Sequence, residues 1–181
     1  AATKASAELL VNAYVKTYDL DCVITRCTNN YGPRQFYEKL IPKTIFLANK
    51  NKKIPIYGQG KNIRDWIFVD DHCEAIYTVL LNGKSGESYN ISSNNELDNI
   101  TIVKKILEIM GKPTNLIEFV DDRPGHDLRY SLDSSKIRHS LKWNEKNTFD
   151  EGIEKTINWF LNQPDDQNIQ KEIFSPTPWK K

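Results

Sequence analysis

Cys22-Val23-Ile24-Thr25-Arg26-Cys27-Thr28-Asn29-Asn30-Tyr31-Gly32-Pro33 passes from a short apolar run into a polar loop. The stretch before it, from Ala2 to Tyr18, has no Gly or Pro, and Ala5, Leu9 and Ala13, with Leu10 and Tyr14, recur at helical spacing. Helix, buried strand and polar loop in that order are α/β grammar. In such sheets ligands gather at the carboxyl ends of the strands.

Downstream, the sequence predicts a helix over 39–49, with Pro42 tolerated in its first turn. It predicts short strands over 54–57, 63–69, 87–91 and 117–120, the first closed by Gly58-Gln59-Gly60. Asp70 or Asp71 can cap a helix over 75–81, and Asp71-His72 reads as capping and packing. An amphipathic helix over 100–110 has Asn99 as its apparent N-cap and Gly111 at its end. Asp133 caps a helix over 134–141. Thr148 and Glu151 form a capping box before Ile153, Ile157 and Phe160. After Pro164 the chain is polar and proline-dotted, and reads as a loosely held tail.

The bulk numbers narrow the function. A chain of 181 residues with 39% hydrophobic and 27% charged content suits one soluble domain or slightly more. A formal net charge of +1, with lysines only in scattered pairs, argues against a nucleic-acid partner. No apolar run approaches the roughly 20 residues of a membrane span, and no secretory leader is legible. Three cysteines without framework or metal spacing suit reduced thiols in the cytoplasm and no metal site.

Four segments carry chemistry. Each has a bland reading as a solvated helix face, a turn, an edge strand or a charged loop; together they are more specific. The run Asn29-Asn30-Tyr31-Gly32-Pro33 continuing to Glu38-Lys39-Leu40-Ile41-Pro42 resembles the nucleotide-sugar 4,6-dehydratases of the extended short-chain dehydrogenase/reductase family. Tyr37 stands where that family's pattern has a proline. Asp122-Arg123-Pro124-Gly125-His126-Asp127 is a second dehydratase-like run, and Pro55-Ile56-Tyr57 with Arg64-Asp65-Trp66 a third. Ala1-Ala2-Thr3-Lys4 is similar to the residues that follow the tyrosine of the family's Tyr-x-x-x-Lys motif.

The resemblance covers the chain to about Gln163 and implies an α/β fold. That fold is the C-terminal part of a Rossmann-type domain (residues 1–53) joined to a small α/β substrate-binding domain (mainly residues 54–163, some segments returning to the Rossmann sheet). It implies NAD as cofactor, a nucleotide sugar as substrate, with dTDP-glucose favoured, and a homodimer built on the lysine-bearing helix. Lys4 would be the catalytic lysine: an ammonium one helical turn from a phenol lowers its pKa from about 10 toward neutrality, so that it can serve as base. Lys4 would also hold the nicotinamide ribose, and Asn30 the nicotinamide end. Asn29 would contact the sugar nucleotide, Lys39 and Leu40 its diphosphate and base region. Pro55, Ile56 and Tyr57 would sandwich the base, and Arg64 and Arg123 would grip phosphate. His126 and Asn99 would sit beside the nucleotide.

The implied reaction removes hydride from C4 of glucose to NAD, eliminates water across C5 and C6, and returns the hydride to C6, giving a 4-keto-6-deoxy sugar of the kind used in rhamnose synthesis. The 181 residues hold no Gly-x-x-Gly-x-x-Gly phosphate loop. Under the resemblance that loop, the tyrosine and the acid pair that eliminates water precede Ala1, and the 181 residues alone are expected to be inactive. Two rivals stand beside this reading: dehydration, epimerisation or decarboxylation of a UDP-sugar, and a non-catalytic module for sugar-nucleotide binding or dimerisation.

Overall fold

The computed structural model describes residues 2–164; the tail over 165–181 lies outside them. Helix α1 (Ala2–Tyr18) leads to strands β1 (Ile24–Cys27) and β2 (Asn29–Tyr31). Next come α2 (Leu40–Asn49), β3 (Ile54–Tyr57), β4 (Ile63–Phe68), α3 (Val69–Asn82) and β5 (Ser88–Ile91). The chain continues through β6 (Glu96–Asp98), α4 (Asn99–Ile109), β7 (Ile117–Val120), β8 (Arg129–Tyr130), α5 (Ser135–Leu141) and α6 (Phe149–Leu161).

The strands pair mostly in parallel, as helical crossovers require. β1 lies along β5 (Ile24 opposite Ser88), β3 along β7 (Ile54 opposite Ile117), and β2 along β4 (Asn29 opposite Trp66). β4 also takes β6 antiparallel and β8 parallel. Ile41, Ile45, Ile102, Ile106, Ile153 and Ile157 bring α2, α4 and α6 onto the aromatic side chains of Tyr31, Trp66 and Phe68. A second cluster packs α2 and α4 on β3 through Leu47, Val103 and Leu107. A third joins α3 and α5 to β5 through Val79, Ile137 and Tyr89. Gly152 permits the closest approach in the first core: a Cβ there would stand 2.3 Å from the Tyr31 hydroxyl, which donates to the Phe149 carbonyl at 3.3 Å.

Several sequence expectations shift. Asn29–Tyr31 is a strand inside the stretch that reads as loop, held by pairing with β4. β6 and β8 go unread because they are only three and two residues long. α3 starts at Val69, directly off β4, so Asp70 and Asp71 fall inside its first turn. Asp71 is 2% exposed and accepts from the backbone N–H of Lys146 (3.0 Å) and Asn147 (3.2 Å), clipping the approach to α6 onto α3. The cap of α4 is Asp98, which accepts from Thr101 N–H at 2.9 Å; Asn99 is the first helical residue. Asp133 accepts from Ser135 N–H at 2.8 Å, and α5 begins at Ser135.

The capping box of α6 is formed as expected. Thr148 Oγ1 accepts from Glu151 N–H at 3.3 Å and Glu151 Oε2 accepts from Thr148 N–H at 2.8 Å. Thr148→Ala is expected to cost about 1 kcal/mol, or about 2–4 °C in Tm for a domain of this size, measured by thermal unfolding. An unchanged Tm would show that the cap contributes nothing. Among the described residues no helix is long and apolar enough to cross a membrane, no cluster of His, Cys, Asp or Glu could hold a metal ion, and Cys22, Cys27 and Cys73 are free thiols.

Candidate functional site: a cationic cleft between β3, β4 and α2

A cleft of about 300 Å³ opens where β3 and β4 meet the N-terminus of α2. That volume is at the low end for a small-molecule site. β3 contributes Pro55, Ile56 and Tyr57, and β4 contributes Arg64 and Trp66, two residues apart and so on one face of the strand. Asn29 enters from the start of β2, Lys39 from the N-cap of α2, Leu40 from its first turn, and Asn99 from the first turn of α4. Arg123 and His126 come from the loop after β7. The structure thus brings together every candidate assigned to the substrate. It leaves out the two assigned to the cofactor: Lys4 stands exposed on α1, and Asn30 is half-buried in β2.

Sequence reasoning missed four lining residues: Gln35, Glu38, Lys43 and Trp66. Trp66 reads as core and is only 5% exposed, yet it also forms a wall of the cleft. Lys43 follows Lys39 by one helical turn, a spacing that could have placed both on one face.

Charge dominates the cleft. Lys39, Lys43, Arg64 and Arg123 line it against one carboxylate, Glu38, which lies 3.8 Å from the Lys39 ammonium. Arg64 is 8% exposed. Its Nη1 donates to the Ile63 carbonyl at 2.6 Å and its Nη2 to the Asp127 carbonyl at 2.9 Å. These bonds fix the plane of the guanidinium and leave further N–H groups without an acceptor among the described residues. Burial pushes the Arg64 pKa below the ordinary arginine value; Asp127 opposes this and Arg123 adds to it. Such a cation gains most from an anion that enters the cleft with it.

The Asp122 carboxylate orients the far wall. It accepts from the Arg123 backbone N–H at 2.8 Å and lies 2.7 Å from His126 Nδ1. Burial pushes the Asp122 carboxyl up, but its bonds to His126 and Arg123 outweigh this and hold it below the usual range. With Nδ1 donating to that carboxylate, the Nε2 edge of His126 is left to face a ligand. The His126 ring meets Tyr57 edge-on, with centroids 6.4 Å apart. Burial raises the Tyr57 phenol above its usual value, opposed by Arg123 and assisted by Glu38, so the ring is neutral and offers an apolar face. Apolar Pro55 to Tyr57 on one side and guanidinium and ammonium groups on the other suit a ligand with a flat ring and a phosphate chain.

Comparison with known proteins gives the family. A dTDP-glucose 4,6-dehydratase of Escherichia coli is 49% identical over 172 residues, which are 89% of this chain and 48% of the relative. A crystal structure of dTDP-glucose 4,6-dehydratase from Bacillus anthracis in complex with NAD superposes with a TM-score of 0.85 at 46% identity, covering 88% of this chain and 51% of that one. DesIV, a dTDP-glucose 4,6-dehydratase from Streptomyces venezuelae with NAD and TYD bound, gives 0.85 at 42% identity, covering 88% and 50%. The chain spans about half the length of the curated relatives it matches. Its α/β architecture is that of these dehydratases, a Rossmann-type extended short-chain dehydrogenase fold. The model of the family described as GDP-mannose 4,6 dehydratase matches residues 1–156, and it is to this family that the chain belongs.

Proposed function

We propose that the chain forms the sugar-nucleotide-holding part of an NAD-dependent 4,6-dehydratase acting on a nucleoside-diphosphate glucose, with dTDP-glucose as substrate. The observation that carries this reading is the cleft, in which Arg64, Lys39 and Arg123 converge beside the Pro55–Tyr57 wall. The diphosphate lies among the cations. The base lies against Pro55 to Tyr57, with His126 and Asn99 at its edge, and Asn29 meets the sugar. Fixing both ends of a long substrate places the hexose where hydride transfer takes place, and lends binding energy to the reaction.

NAD, when bound, supplies the hydride acceptor and donor of the redox cycle. This chain's residues fit its nicotinamide end: Asn30 Oδ1 is buried with no hydrogen-bond partner among the described residues, an acceptor suited to a carboxamide N–H. The Asn30 amide is oriented by donation from Nδ2 to the Thr28 carbonyl at 3.2 Å and to Cys27 Sγ at 3.3 Å. Lys4, exposed in the first turn of α1, serves as the ammonium that holds the ribose and keeps a neighbouring phenol ionisable.

In the proposed protein, residues 1–53 belong to the Rossmann domain and 54–163 mainly to the substrate domain. The parallel pairing of β1 with β5 supports a return of the later segment to the earlier sheet. A homodimer through α1 is part of the same reading; α1 buries none of its residues and exposes Leu9, Leu10, Tyr14 and Tyr18. The free thiols suit a cytoplasmic setting.

The test is a thermal-shift series with dTDP, UDP and thymidine in the absence of NAD. At 100 times Kd a ligand stabilises by about 2.7 kcal/mol, worth roughly 5–10 °C in Tm. dTDP is expected to give the largest rise. Equal rises with UDP move the substrate to a UDP-sugar, and no rise with either nucleotide removes the reading.

A further inference from the structure

Lys43 sits in the second turn of α2 and is only 7% exposed. Lysines are almost never buried to this degree unless paired, and among the described residues Lys43 has no ion pair or side-chain hydrogen bond. Glu38 is the nearest source of attraction, but its carboxylate is half-exposed and pairs with Lys39. The Lys43 pKa is lowered, chiefly by burial, with Glu38 opposing. Lys43 N–H donates to the Lys39 carbonyl at 2.9 Å, so the two lysines lie one helical turn apart. A largely buried lysine without a partner costs stability in the empty protein, and it lines the cleft, from which an anion can reach it.

We propose that Lys43 is a second ammonium contact for the diphosphate of the bound nucleotide sugar, reaching it from one helical turn below Lys39. The inference rests on the nucleotide-sugar reading of the cleft and adds to it a residue that no motif singles out. The N–H groups of Leu40 and Ile41, the first two residues of α2, have no capping side chain, since Lys39 as N-cap supplies none. An anion held by both lysines would also satisfy that helix end.

The test compares the protein with Lys43→Met, which keeps the stem and removes the charge, and Lys43→Arg, which keeps a charge. Affinities for dTDP and for thymidine are measured by calorimetry, and Tm is measured without ligand. Lys43→Met is expected to weaken dTDP binding by roughly tenfold or more, to leave thymidine binding unchanged, and to hold or raise the ligand-free Tm. Lys43→Arg is expected to recover part of the lost dTDP affinity. If the unaltered protein binds dTDP and Lys43→Met binds it equally well, this inference fails while the cleft reading stands. An equal loss for thymidine and dTDP overturns the phosphate contact, and a lower ligand-free Tm assigns Lys43 to the fold. If the unaltered protein binds no dTDP, both readings fall together.

Discussion

Replacing Arg64 by methionine is expected to weaken dTDP binding by about 2–4 kcal/mol, the cost of removing one member of a buried, hydrogen-bonded charge pair. That is roughly 30- to 1000-fold in Kd. The guanidinium is held by the carbonyls of Ile63 and Asp127 before any ligand arrives, so little rotamer freedom remains to be lost on binding. Burial has already removed much of its hydration, and in the proposed complex phosphate oxygens would replace what water no longer supplies. Lysine at the same position keeps a charge but not the planar fork, and should recover only part of the affinity. Titration calorimetry with dTDP decides the matter. A loss smaller than threefold would mean that Arg64 serves the β4–Asp127 contact and not the ligand.

Asp65→Ala is expected to cost the fold about 3–4 kcal/mol, because buried donors that lose a charged acceptor suffer the full penalty of desolvation. Asp65 is 0% exposed. Its carboxylate accepts from the backbone N–H groups of Ser93 (3.3 Å), Asn94 (3.1 Å) and Asn95 (3.4 Å), and from Ser93 Oγ (3.0 Å). The segment after β5 has no strand of its own there, and its backbone N–H groups at Ser93, Asn94 and Asn95 depend on this carboxylate. Tm should fall by about 6–16 °C. Ser93→Ala removes a single donor and should cost about 1 kcal/mol, so the two variants separate the carboxylate from its neighbours. A Tm drop for Asp65→Ala no larger than that of Ser93→Ala would sink the argument.

What the sequence made legible follows from how local each signal is. The capping box of α6 and the strand over 54–57 are written within a few adjacent residues, and both form as read. β2, β6 and β8 are not local. They are short and polar, and become strands because β4 offers backbone partners from elsewhere in the chain; Arg129 and Glu96 then join β8 to β6 with side-chain bonds of 2.6 Å. The cap of α4 was misplaced because Asp98 and Asn99 are both competent caps, and only the fold decides that Asp98 accepts from Thr101 and leaves the Asn99 side chain to the cleft. The residues that line the cleft could be named from motif resemblance because they lie in contiguous runs. Lys43 and Trp66 escaped because a lysine reads as solvated and a tryptophan as core until packing shows what faces a cavity.

Alternation along β4 sends Arg64 and Trp66 to the cleft and Asp65 to the segment over 93–95. A shift of one residue in that strand exchanges the two faces. The guanidinium would then be turned toward the amides that need a carboxylate, and the carboxylate toward the cationic cleft. Length changes should therefore not be accepted between Ile63 and Phe68, where inserting or deleting one residue would undo the cleft and the fold in the same event.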